Sequence, residues 1–78
     1  MNKNQRKTID GWKESLEEIK SGIEEMQEEE NDKYENLPEG IQDSDRGTAM
    51  YEGIESLEAA ANSLDEAIDY LSEAQGEG

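Results

Sequence analysis

The chain has no cysteine, no histidine and no phenylalanine, and a single proline among its 78 residues. Without cysteine there is no disulfide framework and no thiolate metal site. Without histidine or cysteine, a serine or threonine nucleophile lacks its usual base. Basic residues are scarce, 7 against 22 acids, which leaves a net charge of −15. That excludes phosphate-backbone binding as the main activity, because such binding needs a basic face. No apolar run is long enough to span a membrane, and no signal-peptide core follows Lys3, Arg6 and Lys7. The expectation is a soluble cytoplasmic protein without a cofactor.

Metal sites fare no better. The stretch from Asp43 opens like a calcium loop with Asp43 and Asp45, but Gly47, Thr48 and Ile54 stand where a ligand, the glycine and the bidentate glutamate are required. Carboxylate di-iron bundles need core-facing glutamates with a histidine three residues on. The many carboxylates lie on exposed faces, where nothing raises a pKa for acid catalysis. The chain therefore reads as a non-enzyme.

What the chain does have is periodicity. A composition this acidic and poor in aromatics is that of a disordered chain, yet the apolar residues are regularly spaced. Ile9, Trp12, Leu16, Ile19, Ile23 and Met26 recur at alternating steps of three and four. This is a heptad seam, with Ile9, Leu16 and Ile23 at a and Trp12, Ile19 and Met26 at d. Met50, Ile54, Leu57, Ala61, Leu64, Ile68 and Leu71 form a second, with Ile54, Ala61 and Ile68 at a. Small residues flank both seams at position g: Thr8, Ser15 and Gly22 in the first, Gly53, Ala60, Ala67 and Ala74 in the second. They read as close-contact flanks of an antiparallel pairing, with axes near the low end of about 8–10 Å apart.

Between the seams, Pro38 stops the first helix and starts a single turn over residues 38–41. Asp43 or Ser44 then caps the second helix. The expected organisation is one all-α domain, an antiparallel helical hairpin. Its first helix covers about 4–33, the loop about 34–43 and the second helix about 44–74, with disordered ends at 1–5 and 75–78. Two narrow seams bury too little to be stable alone. Trp12, Tyr51 and Tyr70 exceed what one neighbour covers, so a homodimer forming a four-helix bundle, or a higher homo-oligomer, is expected.

The run NLPEGIQDSDRG, with Met50 beyond it and the LEEIKSGIEEMQEEE helix before it, resembles small acidic helical proteins of phages and prophages of Gram-positive bacteria. The distinctive part is Asn36-Leu37-Pro38-Glu39 followed by Ser44, Arg46-Gly47 and Met50. The resemblance implies a phage accessory protein working in the cytoplasm of a bacterial host, in a class that often acts against host defence.

Three functions follow from these features. The first is a DNA mimic whose acids occupy a basic nucleic-acid-binding surface, such as that of a nuclease. A 27-residue helix is about 40 Å long, and −15 spread along it is one charge per about 2.7 Å against about 1.7 Å for duplex DNA. The acids expected to carry this are Glu17, Glu24 and Glu28 on the first helix and Glu52, Glu55, Asp65, Glu66, Asp69 and Glu73 on the second. The second is an oligomeric sponge for a cyclic nucleotide immune signal, with Arg46, Lys33 and Tyr34 meeting the ligand near the loop. Arg46 is the only positive charge after residue 34, and it stands at a helix N-terminus, which favours anions. The third is a structural or adaptor bundle. None requires direct contact with nucleic acid or membrane.

Overall fold

A computed structural model describes residues 1–77 of the chain. Helix α1 spans Lys3–Glu35, the single turn α2 spans Glu39–Gln42, and α3 spans Asp45–Glu77. The long helices α1 and α3 pack against each other as a hairpin with extents of 58 × 15 × 12 Å. No strand forms among the described residues.

Each helix end has a local cause. At the start of α1, the Gln5 N–H donates to Asn2 Oδ1 (2.8 Å) and the Asn2 N–H donates to Gln5 Oε1 (3.0 Å). This capping box satisfies donors that the first turn leaves free, so the helix begins at Lys3, inside the stretch expected to be disordered. At the other end, the Gln42 side-chain amide donates to the Tyr34 carbonyl (2.9 Å) and the Leu37 carbonyl (3.4 Å). Gln42 thus adds a side-chain donor at the C-terminal end of α1, where the Tyr34 carbonyl also accepts the Leu37 N–H (3.1 Å). Ser44 caps α3: its Oγ accepts from the Gly47 N–H (3.4 Å), and its carbonyl accepts the Thr48 N–H (3.0 Å).

Gly47 is buried, and a Cβ there would overlap the carbonyl oxygens of Ile41 and Gln42. The turn α2 lies so close to the first turn of α3 that only glycine fits. The second residue of the Arg46-Gly47 pair is accordingly explained by the joint.

Helix α3 continues to Glu77, past the start of the expected tail at Gln75; Gly78 lies outside the described residues. Gln75 itself clasps the open end of the hairpin. Its amide donates to the Arg6 carbonyl (2.8 Å) and to Asp10 Oδ1 (2.6 Å), and its Oε1 accepts from Lys13 Nζ (2.7 Å).

The core is narrow. Ile9, Ile54, Ala61 and Ile68 are buried, all at position a, and no side chain is completely withdrawn from solvent among the described residues. Leu16 and Ile23 of α1 and Met50, Leu57, Leu64 and Leu71 of α3 are half-buried. On α3 the expected a/d seam faces α1. On α1 it does not: Lys13, Lys20 and Gln27, at position e, are half-buried beside the a residues, whereas Trp12, Ile19 and Met26 are 54–56 % exposed. Helix α1 is thus turned by about 50° from the orientation that an a/d seam implies. Polar pairing across the helices accounts for the turn: Lys20 and Lys13 reach partners on α3 while their aliphatic stems cover the seam.

The small-residue flanks are not close contacts throughout. Thr8, Ser15, Gly22, Gly53 and Ala60 are exposed, and a Cβ on Gly22 or Gly53 would meet nothing within 4 Å. Only Ala67 and Ala74 are half-buried. Within the hairpin the expected close flank is therefore left open.

Candidate interaction surfaces

The hairpin has two chemically different sides. Around a helix the heptad positions run g, d, a, e, then b and f. With the a positions of antiparallel helices facing each other, both e positions fall on one side of the seam and both g positions on the other. Two contacts mark the e side. Lys20 Nζ lies 2.7 Å from Asp65 Oδ1, and the Tyr34 and Tyr51 rings are 5.9 Å apart at a 48° tilt. All four residues are at e. The Asp65 carboxylate holds the Lys20 ammonium above its ordinary pKa, first by the hydrogen bond between them, against a smaller opposing effect of burial, with the charges of Asp65, Glu24 and Glu17 adding to it.

The acids expected to meet a partner cluster on and around this side. Glu17, Glu24, Glu55 and Asp69 are at b, Glu28, Glu52, Glu66 and Glu73 at f, and Asp65 at e; all nine are exposed. Among the described residues only two ion pairs form, Lys20–Asp65 and Lys33–Glu30 (3.1 Å). Eight of the nine acids therefore carry an unneutralised charge. The length of the hairpin lowers the density expected from sequence: −15 along 58 Å is one charge per about 3.9 Å.

Away from the loop, where Glu29, Lys33 and Arg46 stand at g or d, the opposite side is free of charge. From Thr8 to Met26 the d and g positions of α1 hold Trp12, Ile19 and Met26 beside Thr8, Ser15 and Gly22. From Met50 to Ala74 those of α3 hold only Met, Leu, Gly and Ala. In a chain that is 37 % charged, a face of this length without a single charge is a distinct surface, and exposed apolar patches of this kind mark interaction sites. An apolar depression of about 330 Å³ lies at its open end, beside Ile9 and Trp12.

The residues expected to meet an anionic ligand are not gathered into a pocket. Arg46 is exposed and makes no ion pair among the described residues, Asp43 and Asp45 included. Lys33 is held by Glu30, and Tyr34 packs on Tyr51. Among the described residues, no group of three or more His, Cys, Asp or Glu side chains is placed to hold a metal ion. No described helix is long and apolar enough to cross a membrane.

Sequence reasoning overlooked three residues, Asn2, Gln42 and Gln75. The Asn2–Gln5 spacing is a capping-box signature that could have been found. Gln42 and Gln75 act across the chain fold and carry no local signal. No protein-family model matches the chain, and no curated protein or solved structure is significantly similar to it.

Proposed function

We propose that the chain is a non-enzymatic accessory protein of phage type that acts as a DNA mimic, blocking the basic nucleic-acid-binding surface of a host defence or DNA-handling protein. It works as a homodimer, a four-helix bundle of two hairpins. The observation that carries this reading is the segregation of charge: the unpaired acids crowd one side of the hairpin and its outer edges, and the d and g positions of the other side hold none from Thr8 to Met26 or from Met50 to Ala74. One copy is too sparse to imitate DNA. Two copies side by side along the 58 Å axis carry one charge per about 1.9 Å, close to the 1.7 Å of the duplex. Blocking is steric and electrostatic, so it weakens as salt screens the charges.

The test is displacement. Partners captured from host lysate at low salt are bound to labelled duplex DNA and titrated with the protein. Release of the DNA, with potency falling steeply as salt rises, supports the reading. Binding that does not change between low and high salt sinks it.

The cyclic-nucleotide reading keeps one supporting feature, the free guanidinium of Arg46 at the start of α3. Against it stand the commitment of Lys33 to Glu30 and the negative field that each phosphate must enter. Calorimetry with a panel of cyclic dinucleotides that shows no heat eliminates it.

A further inference from the structure

The charge-free side of the hairpin has two parallel rows of opposite size. On α1 the exposed row at d is bulky: Trp12, Ile19 and Met26. On α3 the row at g is small, with Ala60, Ala67 and Ala74 among its members. Both rows repeat every seven residues, about 10.5 Å along a helix.

The register of the hairpin aligns them. Lys20 faces Asp65 and Tyr34 faces Tyr51, and both pairs of residue numbers sum to 85. A residue n of α1 therefore lies level with residue 85 − n of α3. Trp12, Ile19 and Met26 fall within one residue of the levels of Ala74, Ala67 and Ala60.

The structure assigns this side as the dimer interface and fixes the direction of its two-fold axis: parallel to the long axis of the hairpin, with both loops at the same end. The assignment rests on the homodimer proposed above and goes beyond it by stating the surface and the symmetry. A two-fold axis along the hairpin lays α1 of each copy over α3 of the other without changing its height. Trp12 of one copy then sits over Ala74 of the other, Ile19 over Ala67 and Met26 over Ala60, large side chains against small ones at every step. A two-fold axis across the hairpin would instead set α1 on α1 and α3 on α3. Bulky rows would collide, small rows would leave a gap, and the loops would lie at opposite ends.

Two further observations favour a second copy as the occupant. Copies carrying −15 each repel one another least on this side, whose d and g positions hold no acid from Thr8 to Met26 or from Met50 to Ala74. The only apolar side chains the hairpin buries among the described residues are Ile9, Ile54, Ala61 and Ile68, which is little for a chain of this size. A cover needed for stability must be present wherever the chain is, and another copy of the chain meets that condition.

Labels on the native chain test the symmetry without side reactions, because it has no cysteine. A spin label on Glu39→Cys, an exposed site in α2, reports the distance between the two loops. Light scattering first establishes whether the particle is twice the 8.8 kDa chain. A dimer with loop labels within about 30 Å, as adjacent helices 8–10 Å apart require, supports the assignment. A dimer whose labels are near 58 Å apart, the length of the hairpin, overturns the symmetry and leaves the dimer standing. A particle of one chain mass overturns both.

A pair of substitutions tests the surface. Ala59 and Ala60 are both exposed in the single hairpin, but Ala59 points outward at f and Ala60 lies in the small row. Ala60→Glu raises the dimer dissociation constant at least tenfold, whereas Ala59→Glu changes it less than twofold. Equal effects of the two substitutions overturn the assignment.

Discussion

Lys20 and Asp65 meet at 2.7 Å across the two helices, 45 residues apart in the chain. This pair sits on the seam edge opposite Trp12, Ile19 and Met26. It therefore bears on two properties at once. It draws lysine stems into the seam of the hairpin, and it leaves the bulky row of α1 uncovered.

The pair makes stability depend on alkaline pH. Lys20 is held above the ordinary lysine value of 10.5 in the folded chain. Its contribution is therefore fully present below that value and is lost as pH rises through the raised one. Lys20→Met removes the contribution at every pH. The melting-temperature difference between the native chain and Lys20→Met is expected to be constant from pH 7 to 9 and to shrink above 10.5. A difference that persists unchanged at high pH would show that the charge of Lys20 does not carry its contribution.

Gly47 and Arg46 separate a joint from a site. Gly47→Ala places a methyl group against the Ile41 and Gln42 carbonyls, and overpacking of this kind costs about 1–3 kcal/mol. Arg46→Ala removes an exposed side chain without an ion pair among the described residues and should shift stability by less than about 0.5 kcal/mol. Urea titrations followed by circular dichroism measure both. A large loss for Arg46→Ala would make that residue structural.

Gln75 links the helix ends at the open end of the hairpin. Gln75→Ala deletes its bonds to Arg6, Asp10 and Lys13. At a net of about 0.5–1.5 kcal/mol for a typical hydrogen bond, partly exposed here, the expected loss is about 1–2 kcal/mol. Amide exchange should quicken in the last turns of α3 and the first turns of α1 together. Faster exchange in α3 alone would show that Gln75 does not couple the two ends.

Salt should act with opposite signs on stability and on binding. Like charges along the acid-bearing side repel, so raising ionic strength stabilises the folded chain. The same screening weakens attraction to a basic partner. Thermal melts and displacement assays run across one salt series are expected to diverge. If the melting temperature falls with salt, self-repulsion is not the dominant electrostatic force in the molecule.

Much of the architecture was legible in the chain. The steps of three and four define both helices. Pro38 and the Asp43-Ser44 pair locate the joint, where Ser44 proves to be the cap, and the four buried apolar side chains are all at position a of the expected seams. Boundaries were less legible. The capping box at Asn2 and the clasp at Gln75 extend the helices into segments that composition alone marks as frayed. The acids of the candidate surface were legible as outward positions, but their charge density was not, because it depends on a 58 Å hairpin.

Sequence alone determined that two amphipathic helices would fold back on one another at about residues 34–43 and keep their acids outside, because heptad spacing and a proline act locally. Tertiary structure alone decided which flank of the α1 stripe would face α3. Ile9, Leu16 and Ile23 can be buried with either the d residues or the e residues beside them. The choice falls to e because Lys13 and Lys20 find Gln75 and Asp65 across the seam, contacts that exist only once the distant helix is in place. The same choice leaves Trp12, Ile19 and Met26 exposed in the single hairpin.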